Sequence, residues 1–135
     1  GGGGGAVRRE APASAAFFKK QVKALRGDAK ALHAYLDTVP GDCLGKLLVG
    51  GLEEEELVPL IRALDEHGAE HGAEHAFAVL RGLSRVPRVG ITVRMLDQKE
   101  AGRLERLVLR LHPAKAAGVA YTAEDWGTVR KSIMG

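Results

Sequence analysis

The chain has 135 residues and a formal net charge of +3; 45% of its residues are hydrophobic and only 4% are aromatic. This length suits one globular domain whose interior is packed mainly from leucine, valine and alanine. No apolar run approaches the roughly 18 residues of a membrane-spanning helix, and no secretory leader is recognisable, so we expect a soluble cytoplasmic protein with no membrane partner. Cys43 is the single cysteine, which excludes an internal disulfide framework.

The positive charge excess is too small to indicate nucleic-acid binding. Lysine and arginine number 20 against 17 aspartate and glutamate residues, and much of the excess lies between Arg81 and Arg94 and in the tail. Nucleic-acid-binding domains usually combine a basic face with stacking aromatic residues or a recognition motif, and the sequence has neither. We therefore predict no nucleic-acid partner.

The composition divides the chain into three parts. Residues 1–13 begin with five glycines and continue with alanine and proline, which predicts a flexible linker because almost nothing there can be buried. Residues 14–112 carry apolar residues at helical spacing, which predicts a helical domain. Residues 113–135 are predicted to be a loose segment followed by a C-terminal helix. Trp126 would fix this helix to the bundle or, as the alternative, serve as an interaction hot spot.

Short polar residues mark the predicted beginnings of helices, since their side chains can cap free backbone N–H groups. The predicted caps are Ser14, Asp28, Asp42, Asp97 and Thr122. Another helix follows the acidic run Glu53–Glu56, because carboxylates are stabilised at the positive end of a helix dipole. Pro59 indicates that the regular part of this helix starts near Glu56 or kinks there. A further helix is predicted from about Glu74 to Ser84.

A repeat between two predicted helices places His67, His71 and His75 at a spacing of four residues. On one helical face these side chains could bind a transition metal, and a metal-responsive helical protein is therefore the alternative function. Gly68 and Gly72 weaken such a helix, and a natural site needs ligands that converge on the ion. We interpret the repeat as a solvent-exposed connector and predict no metal site and no cofactor.

The next connector, residues 86–96, is unusually apolar and basic. Connectors between helices normally favour polar turn residues, whereas this one contains Val89, Ile91, Val93, Met95 and Leu96. Neither a helical period nor strand alternation describes it well. Its apolar side chains therefore either seal the core or remain uncovered for a partner.

The sequence has no phosphate-binding loop, no nucleophile motif and no paired metal-ligand spacing. We therefore predict no catalytic residues and no enzyme activity. The succession of short amphipathic segments without strands predicts an all-α fold, a single compact right- or left-turning bundle of about six to eight short helices.

The order of several short motifs resembles the C-terminal domain of RNA polymerase II-associated protein 3. The same domain occurs in sperm-associated antigen one and in a small coiled-coil dynein-assembly factor. The resemblance extends from about Phe18 to Val108. It is carried by Leu25 with Leu32, Tyr35 and Leu36, by Lys46-Leu47-Leu48 followed by Leu52, by Leu80-Arg81-Gly82-Leu83-Ser84, and by Arg88 followed by apolar residues to Met95-Leu96.

This resemblance implies an interaction module that docks on the ATPase region of RuvB-like AAA+ proteins. It also implies an indirect connection to heat-shock chaperones through other modules, or a role with dynein assembly factors in the cytoplasmic preassembly of ciliary dynein arms. Carried over residue by residue, the docking positions are Arg88, Ile91 and Met95, with Val89 and Leu96 as core or edge support. Val89 stands where the family usually has a large aromatic residue.

Overall fold

The computed structural model describes residues 8–68 and 72–135, and within these ranges the regular structure is entirely helical. The helices are α1 (Ala15–Leu25), α2 (Ala29–Leu36), α3 (Leu44–Leu47), α4 (Glu54–His67), α5 (Ala73–Ser84), α6 (Val89–Arg94), α7 (Gln98–Arg110) and α8 (Ala123–Met134). One 3-10 turn, Gly41–Cys43, leads into α3. The predicted all-α bundle is confirmed. None of the helices described is long and apolar enough to cross a membrane.

Local capping chemistry sets most of the helix beginnings. Ser14, Asp28 and Asp97 each accept a hydrogen bond from a backbone N–H in the first turn that follows, and Thr122 does the same for α8. These four predicted caps are confirmed. Asp42 is the exception, because its carboxylate accepts hydrogen bonds from Arg81 Nε at 2.8 Å and Nη2 at 3.0 Å and lies inside the 3-10 turn. The prediction that Asp42 caps a helix is therefore wrong.

Helix α4 begins at Glu54, inside the acidic run where we expected its start and two residues before Glu56, where we predicted its regular part to begin or to kink. The Glu56 carboxylate accepts a hydrogen bond from the backbone N–H of Glu53 at 2.8 Å, which stabilises the first turn. Pro59 lies within the helix and is buried. Its ring removes one backbone donor early in the helix, and the first turn forms in spite of it.

The apolar connector contains a helix that we did not predict, α6. Arg88 precedes it in the left-handed backbone conformation, with φ 62° and ψ 19°. This conformation lets the chain turn after Pro87 and start one short helix, which then buries Val89 and Thr92. Six residues complete less than two turns, so no helical period is visible in the sequence.

The helices share one hydrophobic core, and the C-terminal segment belongs to it. Val129 and Ile133 of α8 are buried, and the ring of Tyr121 stacks on Phe77 with centroids 3.7 Å apart. Trp126 Nε1 donates a hydrogen bond to the carbonyl of Val108 at 2.8 Å. The prediction that Trp126 fixes the last helix to the bundle is confirmed.

Part of the predicted N-terminal linker contacts the residues that directly follow α2. Arg9 Nη2 lies 3.2 Å from Asp37 Oδ1, and the backbone N–H of Glu10 donates to the carbonyl of Thr38 at 3.0 Å. Residues 1–7 lie outside the described residues, and the flexible linker there stays a prediction.

Two glycines allow the 3-10 turn and α5 to approach backbone to backbone. A Cβ atom added to Gly82 would overlap the carbonyl oxygen of Gly41, and one added to Gly41 would overlap the backbone of Ala78. Both glycines are buried. Glycine is therefore the only residue that this packing accommodates at either position.

Helix α7 is joined to α4 by charged as well as apolar groups. The Glu100 side chain is only 4% exposed, and its Oε1 accepts hydrogen bonds from Arg62 Nε at 3.2 Å and Nη2 at 3.0 Å. Arg103 of α7 lies 3.3 Å from Asp65 of α4. These ion pairs join α7 to α4.

Candidate partner-docking surface

The inner side of α6 is held by both apolar contact and a buried hydrogen bond. Val89 is 4% exposed and Leu96, which follows the helix, is 9% exposed. Thr92 Oγ1 donates to the carbonyl of Leu52 at 2.9 Å, and this bond is buried. Val89 and Leu96 therefore occupy supporting positions in the core, so a partner could reach them only at their edges.

The outer side of α6 carries two large apolar side chains in solvent. Ile91 is 54% exposed and Met95 is 63% exposed. They are four residues apart on helical backbone, which places them on the same side of α6. Single exposed apolar residues are common, but two adjacent ones on a helix whose opposite side is buried form a continuous apolar patch. Binding by these two residues stays a prediction.

Arg88 lies at the N-terminal end of this patch and is exposed. Its Nη2 donates a long hydrogen bond, 3.4 Å, to the carbonyl of Gly50 in the turn after α3. Arg88 is the one non-glycine residue among those described whose φ is positive. Such a conformation costs roughly 1 kcal/mol for a residue with a Cβ atom. We refer to Arg88, Ile91 and Met95 together as the outer face of α6.

Sequence reasoning missed Val49, which is 71% exposed in the turn between α3 and α4. Its neighbour Gly50 contacts Arg88 through the hydrogen bond described above. Val49 directly follows Leu47 and Leu48, so its position favoured a place beside the core of the short third helix. The glycine pair Gly50-Gly51 directly after it was the available signal that the chain turns there.

The histidine repeat does not form one helical face. Helix α4 ends at His67 and α5 begins at Ala73, after Gly72 with φ 88°. His75 belongs to α5, where its Nε2 donates to the carbonyl of Leu36 at 2.9 Å. His75 is half-buried, so the prediction of a solvent-exposed connector is wrong at this residue. Burial also lowers the pKa of His75 from its ordinary value of 6.5. His71 lies outside the described residues.

No metal or thiol chemistry is brought together in the part of the chain that the structure describes. Its histidine, cysteine and acidic residues form no group of three or more that could hold a metal ion. Burial raises the pKa of the Cys43 thiol, with the neighbouring Asp42 carboxylate acting in the same direction. A raised pKa disfavours the reactive thiolate, in agreement with a packing role for Cys43.

The structure is a small all-helical domain in which Ile91 and Met95 on the outer face of α6 are exposed. A family model described as the potential Monad-binding region of RPAP3 matches residues 11–101, which is more than half of the chain. The chain therefore belongs to this family, and the resemblance found in the sequence is confirmed. The family description names a binding region and no catalytic activity.

A solved structure agrees with this assignment. The NMR structure of the C-terminal domain of the human RPAP3 protein is similar with a TM-score of 0.76, and the match covers 98% of this chain and 95% of that chain. The sequence identity is 16%, so this likeness shows the fold alone. No curated protein matches the chain.

Proposed function

We propose that this domain is a docking module that binds a RuvB-like AAA+ ATPase through the outer face of α6. The observation that carries the proposal is the exposure of Ile91 and Met95, 54% and 63%, on a helix whose other side is buried. A partner that covered both side chains would remove a continuous apolar patch from water.

The magnitudes support useful but moderate affinity. Burying an isoleucine or a methionine contributes about 1.5–3 kcal/mol, and the loss of translational and rotational freedom on association offsets part of this gain. Arg88 at the rim would add a charge-assisted hydrogen bond to a carboxylate or carbonyl of the partner. The buried Thr92 bond to Leu52 holds α6 in place before binding, which lowers the entropy cost of ordering it.

The family description supports a second partner for the same module. The matching model is described as the potential Monad-binding region of RPAP3, so a protein of the Monad kind is a candidate on the outer face of α6. Beyond the direct partner, we propose a cytoplasmic cochaperone setting. Heat-shock chaperones would be connected through other modules, and dynein arm preassembly is the alternative setting.

The test is a pull-down with purified proteins. The combined variant Arg88→Glu with Met95→Ala should abolish capture of a RuvB-like ATPase, since it reverses the rim charge and removes an apolar anchor. The matched control is Arg106→Glu with Leu109→Ala, which makes the same kinds of change at exposed residues of α7.

Purified Monad, tested separately with the same variants, distinguishes the two partners. Urea unfolding of both combined variants establishes that they are folded. Capture of the ATPase by the Arg88/Met95 variant at the wild-type level would contradict the proposed site, and failure of the unmodified domain to bind it would contradict the proposed partner.

A further inference from the structure

The surface around α6 carries further basic side chains besides Arg88, the arginine that belongs to the outer face of α6. Four exposed cationic side chains lie on α3, at the end of α5 and along α6, namely Lys46, Arg85, Arg88 and Arg94. None of the four forms an ion pair with another residue of the ranges 8–68 and 72–135. The nearby carboxylate of Asp42 pairs with Arg81 at 2.8 Å and also interacts electrostatically with Arg85, and Asp125 lines the same groove as Arg85.

Close backbone packing brings these residues from separate elements to one side of the molecule. A Cβ atom added to Gly45 would lie 2.6 Å from the Cβ of Arg85, so α3 lies directly against the end of α5. The following turn lies against the beginning of α6, where the Gly50 carbonyl accepts the bond from Arg88 and the Leu52 carbonyl the bond from Thr92. The segment 45–52 therefore runs beside the segment 85–94.

Three exposed apolar side chains lie among these cations. Val49, Ile91 and Met95 are exposed by 71%, 54% and 63%. We call the four cations and these three apolar residues the basic-apolar strip. No described residue of the strip is aromatic, and so the strip lacks the stacking groups with which proteins hold single-stranded nucleic acid. Beyond Met95 the surface carries charges of both signs, because Met95 also borders a groove lined by Glu53, Glu54 and Glu55 together with Arg26 and Arg62.

We propose that the basic-apolar strip binds an acidic segment of a partner protein, with apolar anchors over Val49, Ile91 and Met95 and carboxylates facing Lys46, Arg85, Arg88 and Arg94. This inference rests on the proposed function, since it takes the outer face of α6 as the docking site and adds α3 and the turn after it. The argument is charge complementarity. Four cations that form no ion pair with another described residue, beside exposed apolar side chains, attract a segment that supplies carboxylates and apolar side chains together.

The first experiment measures association with the RuvB-like ATPase at several ionic strengths. Lys46→Glu with Arg85→Glu should slow association about tenfold at low salt, because long-range attraction mainly accelerates encounter. Val49→Ala should weaken binding about fivefold, mainly through faster dissociation. The matched control, Lys20→Glu with Lys23→Glu on exposed positions of α1, makes the same change in net charge and should slow association much less, with no change in the dissociation rate.

The outcomes separate this inference from the proposed function. Loss of binding in the Arg88/Met95 variant together with wild-type rates in the Lys46/Arg85 and Val49 variants would overturn the strip and leave the proposed function standing. The neutral variant Lys46→Gln with Arg85→Gln should give an intermediate association rate. Its unfolding midpoint is measured as well, so that an effect of misfolding can be recognised.

The second experiment does not depend on the ATPase. A synthetic helical peptide of glutamate, alanine and leucine is titrated into the isotopically labelled domain and followed by NMR. We expect chemical-shift changes at backbone amides of residues 46–52 and 85–96, and much smaller changes with the same peptide carrying lysine in place of glutamate. Equal changes with the lysine peptide, or changes confined to other residues, would overturn the inference. Tighter binding of an oligouridine probe at the strip would also overturn it.

Discussion

The contact between α5 and the 3-10 turn differs from the surroundings of α6, although both involve short elements and glycines. At the first, Gly41 and Gly82 bring two backbones so close that neither residue can carry a Cβ atom, and the neighbouring Leu44, Val79 and Leu83 are buried. At the second, one side of a six-residue helix is sealed while Ile91 and Met95 stay in solvent. The first region therefore stabilises the fold, whereas the second leaves apolar side chains exposed to solvent.

The largest expected effect is at the closed contact. Gly82→Ala should lower the free energy of unfolding by about 3 kcal/mol or more, because the added methyl group overlaps the Gly41 carbonyl oxygen and the backbone must move. Gly127→Ala in α8 is the matched control, since a Cβ there meets nothing within 4 Å, and it should raise the free energy of unfolding by about 0.5–1 kcal/mol. Urea unfolding measures both. Equal effects of the two substitutions would show that the close approach is unimportant.

The ion pairs between α4 and α7 should give the next largest effect. Glu100→Gln removes the charge from a side chain that is 4% exposed and leaves Arg62 and Arg103 without their shared carboxylate. We expect a loss of about 2 kcal/mol in the free energy of unfolding. Glu105→Gln, at an exposed position of the same helix, should change it by less than about 0.5 kcal/mol. A stability unchanged by Glu100→Gln would mean that apolar packing alone places α7.

A smaller effect should appear as a dependence of stability on pH. Burial lowers the pKa of His75 below 6.5, so the unfolded chain binds a proton at this residue more readily than the native protein does. Stability should therefore decrease as the pH falls from 6.5 toward the lower native pKa. His75→Gln can still donate to the Leu36 carbonyl and cannot titrate, so it should flatten this part of the profile. Urea unfolding at about pH 7.5 and about pH 5.5 measures the difference.

The smallest change in stability is expected on the open side of α6. Ile91→Ser and Met95→Ala should each alter the free energy of unfolding by less than about 0.5 kcal/mol, because their side chains already lie largely in water. Val89→Ala, on the buried side of the same helix, should cost about 2 kcal/mol. If the exposed residues proved as important to stability as Val89, the division between the closed and the open region would be wrong.

Features that depend on neighbouring residues were predictable from the sequence, and features that depend on distant residues were not. Ser14, Asp28, Asp97 and Thr122 bond to backbone groups three residues away, so local chemistry alone identified these caps. Asp42 is also a short polar residue in front of a predicted helix, but its partner Arg81 is 39 residues distant in sequence. The competing tertiary ion pair explains that error.

The candidate surface follows the same rule. Ile91 and Met95 were placed at the surface by the resemblance to a family, since their spacing fitted a core as well as a docking patch. Helix α6 and the left-handed Arg88 escaped prediction because one short helix shows no period and because the turn at Gly50 that receives the guanidinium is distant in sequence. Val49 was missed because an apolar residue directly after Leu47-Leu48 continues the apolar pattern of α3. The helix itself ends before Val49, and Gly50 and Gly51 follow in the turn.

The hydrogen bond from Trp126 to Val108 has a practical consequence. Trp126 is the single tryptophan of the chain, and its indole is half-buried against α7 with the His112 ring 4.5 Å away in an edge-on arrangement. Its emission spectrum is therefore an intrinsic optical signal for the seating of α8, which packs on both α5 and α6. A red shift at low denaturant, before the loss of far-ultraviolet ellipticity, would reveal that the C-terminal helix detaches first and takes the support of α6 with it.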